Sequence, residues 1–305
     1  MAIALEPNPP VRVAATQAEH SAGTRASYRS AWAAWRKWAD AHGVPTLPAE
    51  PAAVAAYLTH RAEGFRMPTV RMAAAAIAAA HRAAGHDNPV LHALVKATLK
   101  GLERQAAAAG TAPARQAGAL TDEALAAIRV NACKPRRTAS GRMESPGRAR
   151  RRGLVDIALC QVMSDAGLRR SEAAALVWAD VQRQPNGSGR LLIWCPKTDA
   201  EGPGAVVVIT AQGLRDLAAI RQGAPADASV FGLSAVQITR RIKAAARAAG
   251  LGDDFSGHSG RVGLARRMMQ NGAPMQTAML QGRWKSANMV TRYTRNEGAA
   301  ALPYL

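Results

Sequence analysis

The sequence predicts a mainly α-helical protein of two domains, with one small antiparallel β-hairpin or sheet giving the second domain an α+β character. Three observations carry this expectation. Apolar residues recur at helical spacing through most of the 305 residues. Only two runs read as strands, Arg190–Cys195 and Ala205–Thr210, joined by the turn-rich residues 199–204. Residues 107–118, rich in alanine and glycine and broken by Pro113, have linker composition. The length is generous for one domain and comfortable for two. A hydrophobic content of 48% suffices for packed cores.

Taken in order, residues 1–20 carry Pro7, Pro9 and Pro10 without sustained periodicity and are expected to be a flexible arm. Residues 21–106 form a helical domain of four short helices. The first runs from Thr24 to Ala41, with Tyr28, Trp32, Trp35 and Trp38 making roughly one apolar stripe. Such tryptophans could stack on bases, but helical spacing favours core packing. The second helix contains Val54 to Leu58. The third starts at Met67-Pro68-Thr69, with Thr69 as candidate cap, and the fourth runs from about Pro89 to Ala106. After the linker, residues 119–305 form the second domain. Thr121 opens a helix, residues 150–166 make a long buried one, and Ser171–Val177 a short one. From Ala211 onward the pattern is helical again, and residues 294–305 form a tail.

Charge narrows the partner. The formal net charge is +19, and of 40 basic residues only seven are lysine, leaving 33 arginines. A GC-rich genome accounts for arginine over lysine but not for the net charge, which a polyanion explains, nucleic acid first. Arginine forks also match phosphate oxygens. Cys133, Cys160 and Cys195 lack any C-x-x-C spacing, which argues against a disulfide framework or zinc site and fits a reducing compartment. Without a long uncharged apolar run or a leader pattern, the chain is expected to be soluble and cytoplasmic.

The chemistry concentrates in the last fifty residues. His258 and Arg261 lie in Ser256-Gly257-His258-Ser259-Gly260-Arg261, three apart and so one turn apart on a helix. A helix beginning near Ser256 would add free N–H groups that favour an anion. Trp284 follows in Gln281-Gly282-Arg283-Trp284, then Tyr293 in Arg292-Tyr293-Thr294-Arg295-Asn296. A guanidinium, an imidazole, an indole N–H and a phenol around one phosphate suggest phosphoryl transfer onto tyrosine. Earlier, Gly167-Leu168-Arg169-Arg170-Ser171-Glu172 presents Arg169 from a turn, with Glu172 able to bond neighbouring side chains. Taken alone this segment reads as an ordinary helix break. Lys197 sits at the hairpin tip, normally a solvated place, yet between residues 135 and 305 its only fellow lysines are Lys243 and Lys285.

In this order Arg169, Glu172, Lys197, His258-x-x-Arg261, Trp284 and Tyr293 resemble the catalytic set of the tyrosine recombinase (phage integrase) family. The likeness spans nearly the whole chain. It implies a two-domain DNA clamp, with residues 21–106 as the core-binding domain and 119–305 as the catalytic domain. Tyr293 would be the nucleophile, its proton taken up with the help of His258, the only histidine after His92. Arg169, Arg261 and the Trp284 indole would hold the non-bridging oxygens, and Lys197 would protonate the departing 5′ oxygen. The product would be a 3′-phosphotyrosine, needing neither ATP nor metal. No cofactor is expected, in keeping with the lack of a Gly-x-x-x-x-Gly-Lys loop or clustered carboxylates.

The resemblance further implies double-stranded DNA as substrate and a homo-tetramer on it, with a monomer free in solution. Many members carry a second histidine where Trp284 stands; Arg283 beside it has no assignment. The apolar tail could dock on a neighbouring subunit, and Tyr304 within it reads as a packing residue. Lys134–Arg152 holds eight basic residues and one acidic, Glu144, and is either a solvated loop or a phosphate contact. Candidate DNA contacts are Arg136, Arg137, Arg150 and Arg151 there, and Arg66, Arg71, Lys96, Lys100 and Arg104 on the first domain's helices. Two other functions fit parts of this pattern: a type IB topoisomerase-like relaxing enzyme, and a non-enzymatic DNA-binding protein. An intact set of catalytic residue types argues against the latter.

Overall fold

The computed structural model describes residues 22–110, 116–138, 140–194 and 204–294. The chain separates into two compact units, residues 1–113 and 114–305. The first is built from four helices: α1 (Ala22–Ala41), α2 (Pro51–Gly64), α3 (Met67–Ala84) and α4 (Ala93–Ala108). Their shared core holds Trp35, Val54, Tyr57, Leu58, Val70, Ile77 and Val95. Trp35 is fully buried, its indole donating to the Thr46 carbonyl at 3.1 Å, and Trp32 and Trp38 pack partly against the same core. The tryptophan stripe is therefore core.

Helix α3 starts without a side-chain cap. Arg66, not Thr69, is its N-cap residue, and Met67-Pro68 fill the first two positions, where proline's missing N–H is harmless. Thr69 sits one step inside, its amide already bonded to the Arg66 carbonyl at 2.9 Å. Late in α3 the fully buried His81 uses both ring nitrogens. Nδ1 donates to the Ile77 carbonyl at 2.8 Å and Nε2 accepts from the Ala49 amide at 2.8 Å. Burial, opposed by the Ile77 bond and reinforced by His86, pushes its pKa below the ordinary value. The unfolded chain therefore binds the proton more readily. Stability from this neutral histidine is complete above a pH of about 6.5 and is lost as pH falls toward the folded-state pKa. Thermal unfolding between pH 7.5 and 5 should show the first unit losing stability on acidification, and His81→Leu should flatten that dependence.

In the second unit a long helix, α6 (Pro146–Ala166), is surrounded by α5 (Asp122–Asn131), α8 (Ala211–Arg221), α9 (Ala235–Ala248), α10 (Ser259–Gln270) and the strand Ala205–Ile209. Ser145 caps α6 through the Arg148 amide and Pro146 occupies its first turn, so it begins four residues before the expected 150. Buried residues cover all sides of its C-terminal half, from Asp156 to Ala166. After the short α7 (Arg170–Ala175) comes a three-stranded antiparallel sheet in the order β1 (Val181–Arg183), β2 (Gly189–Ile193), β3 (Ala205–Ile209). Leu191 pairs with Val207 and Ile193 with Ala205 across the expected hairpin, whose tip lies outside the described residues. Strand β1 was not visible in the sequence. Helices α11 (Met275–Gly282) and α12 (Ala287–Thr294) complete the unit.

Of the twelve residues read as a linker, 107–108 end α4, while 116–118 bond to the second unit. The Gly118 amide donates to the Asp254 carbonyl at 3.1 Å. The basic segment is likewise tied down in part. Fully buried Asp156 gathers Arg136, Arg152 and Arg241, and Arg152 also forks onto Glu144 at 2.9 Å.

Helix α10 packs tightly on α6. A Cβ added to Gly260 would collide with the Met163 carbonyl, and one on Gly263 with the Leu120 carbonyl. Gly260→Ala must therefore lift α10 off α6, costing about 1–3 kcal/mol. Calorimetry of the variant should show a lowered Tm.

Candidate active site

Three neighbouring turns carry the site. The first follows α6, where Gly167 adopts φ 55° and Arg169 becomes the N-cap residue of α7. The Arg169 amide donates to Glu172 Oε2 at 2.8 Å and its guanidinium to Oε1 at 2.6 Å. Glu172 is buried, yet Arg169 keeps 37% side-chain exposure. Burial works against the ionised Glu172, but Arg283, the Arg169 amide and the Arg169 guanidinium outweigh it. The pKa is held below the ordinary glutamate range.

The second turn precedes α10. The helix begins at Ser259, with His258 as its N-cap residue at φ −98°, three residues later than a start near Ser256. Local bonds shape the turn: the Ser256 amide donates to Ser259 Oγ at 2.8 Å, and the His258 amide to Ser256 Oγ at 3.2 Å. His258 remains exposed at its edge. Desolvation, followed by the positive charges of Arg261, Arg170, Arg169 and Arg292, pushes its pKa below the ordinary imidazole value. The ring is therefore neutral at neutral pH and free to accept a proton.

One turn further along, Arg261 is only 3% exposed. Its Nη1 donates to the Gly167 and Gly282 carbonyls, both at 2.8 Å. Among the described residues no carboxylate pairs with it. Burial first, then the charge of Arg169, works against its charged form, while the Tyr293 phenol favours it; the net shift is downward. A buried cation without a counter-charge is costly unless an anion arrives.

The third turn joins α11 to α12. Arg283 caps α11 in the left-handed region, φ 52°. Its guanidinium bonds Glu172 Oε2 at 2.7 Å, the Ala166 carbonyl at 3.1 Å and the Gly167 carbonyl at 3.2 Å. Trp284 is 5% exposed, with the Arg261 guanidinium 5.0 Å from its ring centre. Its indole N–H is buried with no partner among the described residues. The Tyr293 ring lies 5.9 Å from that of Trp284 at 49°. At the end of α12, Gln116 Nε2 donates to the Tyr293 backbone carbonyl at 2.9 Å.

Arg169, Glu172, His258, Arg261, Trp284 and Tyr293 are thus gathered in one place. Lys197 lies outside the described residues, as do Arg295, Asn296 and the tail with Tyr304. Sequence reasoning left Arg283 unassigned and overlooked Gln116; a non-glycine residue at a helix C-cap could have marked the former, and nothing local marks the latter. Elsewhere, Arg137, Arg150 and Arg151 are exposed, while Arg136 is half-buried, with Asp156 at 3.4 Å. In the first unit Arg66, Lys96, Lys100 and Arg104 are exposed, the last three at four-residue intervals along one side of α4. Arg71 is exposed and paired with Glu103 at 2.7 Å. Among the described residues no helix is long and apolar enough to cross a membrane.

The segment that supplies His258, Arg261, Trp284 and Tyr293 matches a known family: residues 226–299 fit the model of the phage integrase family. The wider chain is similar in structure to lambda integrase residues 75–356 bound to DNA, at 17% identity and TM-score 0.59, covering 94% of each chain. It is also similar to a lambda integrase tetramer bound to a Holliday junction, at 16% identity and TM-score 0.59, covering 90% of this chain and 72% of that one. The XerH recombinase in a post-cleavage complex with palindromic difH substrate matches at 16% identity and TM-score 0.56, covering 84% and 72%. Comparison with curated proteins finds no match. At these identities the likeness is one of fold: mostly helical, with the small antiparallel sheet of the tyrosine recombinase catalytic domain.

Proposed function

We propose that this protein is a site-specific DNA recombinase that cuts and rejoins strands through a phosphotyrosine on Tyr293. The observation that carries the reading is a buried cation with no carboxylate partner and a buried indole N–H with no acceptor, among the described residues, beside a tyrosine. Arg261 and Trp284 together await one negatively charged oxygen-rich group, and a DNA phosphate meets both needs. The half-exposed Arg169 adds a second fork from the solvent side.

The reaction follows from these groups. Tyr293 Oη attacks phosphorus as its proton passes to the neutral His258. The P–O5′ bond breaks, and Lys197 gives the leaving oxygen a proton. Arg169, Arg261 and the Trp284 indole N–H stabilise the charge that builds on the non-bridging oxygens. The ester bond energy is retained in the 3′-phosphotyrosine, so another strand's 5′-hydroxyl can reverse the step. Trp284 in place of a second histidine, with the stretches 256–263 and 293–296, makes the chain resemble Cre recombinase. Exposed Arg66, Lys96, Lys100, Arg104, Arg137, Arg150 and Arg151 would contact backbone phosphates and set affinity more than sequence choice. Exchange between two duplexes needs four copies, hence a tetramer on DNA, acting in the cytoplasm where such DNA resides.

A pool of random-sequence nicked duplexes tests the reading. After denaturation the protein should retain covalently bound strands, whose sequences reveal the site. DNA carrying two copies of that site should then yield exchanged products. Relaxation of supercoils without exchange would leave a topoisomerase-like enzyme instead, and no covalent adduct would overturn the reading.

A further inference from the structure

The geometry points to Arg283 as a positioning residue that aims Arg169 at the scissile phosphate through the carboxylate they share. The inference rests on the reading of the site given above and adds a part to it. Its starting point is a backbone oddity. Arg283 holds φ 52°, a left-handed conformation that glycine adopts at least cost and that a long side chain adopts only when its surroundings hold it there.

The side chain supplies that hold. Arg283 is 9% exposed, its side chain buried beside Glu172. Its guanidinium reaches the turn after α6 at the Ala166 and Gly167 carbonyls, and reaches Glu172 at 2.7 Å. Glu172 is then saturated: Oε1 takes the Arg169 guanidinium, and Oε2 takes the Arg169 amide and Arg283. With both oxygens engaged, the carboxylate cannot swing, and the Arg169 fork is fixed from behind while its outer side stays open. The Gly167 carbonyl is shared in the same way, accepting from Arg261 at 2.8 Å and Arg283 at 3.2 Å. One buried guanidinium thereby ties together the turns that bear both phosphate-facing arginines and Trp284.

The chemistry explains why arginine serves here. A lysine offers one point charge, whereas the planar fork addresses a carboxylate and two carbonyls at fixed angles. Removing it frees Glu172 to follow Arg169 into other rotamers. A loss of alignment of this kind costs about a hundredfold in rate without loss of binding.

The test uses the full-length protein and the nicked duplex recovered from the random pool, with single-turnover adduct formation and DNA affinity measured side by side. Arg283→Gly relieves the backbone, which partly offsets the lost bonds to Glu172 and the Ala166 carbonyl, so the variant's Tm should fall only slightly. It should form the adduct about a hundredfold more slowly at unchanged affinity, and Arg283→Lys should recover part of the rate. Because Arg283 acts through Glu172, adding Arg283→Gly to Glu172→Gln should cost little more than Glu172→Gln alone. A wild-type rate in Arg283→Gly would overturn the inference and leave the reading of the site intact. So would a full further loss in the Glu172→Gln background, or a parallel fall in Tm, affinity and rate, since each marks a merely structural arginine. If the wild type itself forms no Tyr293-dependent adduct, the reading of the site fails first and this inference with it.

Discussion

Tyr293→Phe is expected to abolish the covalent protein–DNA adduct while DNA affinity and Tm stay as in the wild type. The variant removes one oxygen and keeps the ring that packs beside Trp284, so the local core around Leu264, Ala278 and Val290 is undisturbed. The other described tyrosines, Tyr28 and Tyr57, belong to the first unit, and Tyr57 is buried in its core. The readout is a denaturing gel of labelled nicked duplex. Persistence of the adduct in Tyr293→Phe would transfer the nucleophile to another residue and undo the assignment. The same assay over pH checks His258. Because its pKa lies below the ordinary imidazole value, cleavage should hold steady around neutrality and fall only on further acidification, as the base becomes protonated.

The second large effect separates two arginines that a motif treats alike. Arg169→Ala and Arg261→Ala should each slow adduct formation by about a hundred- to a thousandfold, the usual cost of losing a charge-stabilising donor. Their effects on stability should differ. Arg169 is partly exposed, and Glu172 keeps Arg283 when Arg169 is gone, so the fold should hold. Arg261 is buried and is the side-chain donor to the Gly282 carbonyl. Losing it leaves that acceptor unpaired at a cost of about 1–3 kcal/mol. Denaturant titration beside the gel assay distinguishes the two; equal stabilities would mean that the buried contacts of Arg261 contribute nothing to the fold.

Much of this site could be read before any coordinates, because its residues sit in short segments whose local chemistry is distinctive. Arg169 and Glu172 are three apart across a helix start, and His258 and Arg261 flank another. The same locality explains the helical first unit and the β2–β3 hairpin, where periodicity and turn residues act within a few positions. What escaped notice depends on partners far away in sequence. Strand β1 is three residues, Val181-Gln182-Arg183, and exists only because Leu191, Arg190 and Gly189 pair with it. Arg136 lies in a basic run, and its contact with Asp156, twenty positions on, is not written in that run. Arg283 had no reading because its partner Glu172 lies 111 residues earlier. The start of α3 shows a subtler limit: Thr69 is a fair cap by composition, yet Pro68 fits the first turn of the helix and so moves the boundary to Arg66.

The bond between Gln116 and the Tyr293 carbonyl joins groups 177 positions apart, with Arg169, Arg261 and Trp284 all inside the loop it closes. The entropy cost of such a closure grows with the length of chain enclosed. During synthesis the chain emerges from its N-terminal end, so Tyr293 leaves the ribosome after every other member of the constellation. On the proposed reading, a nascent chain would be chemically silent toward DNA until α12 arrives to be fastened.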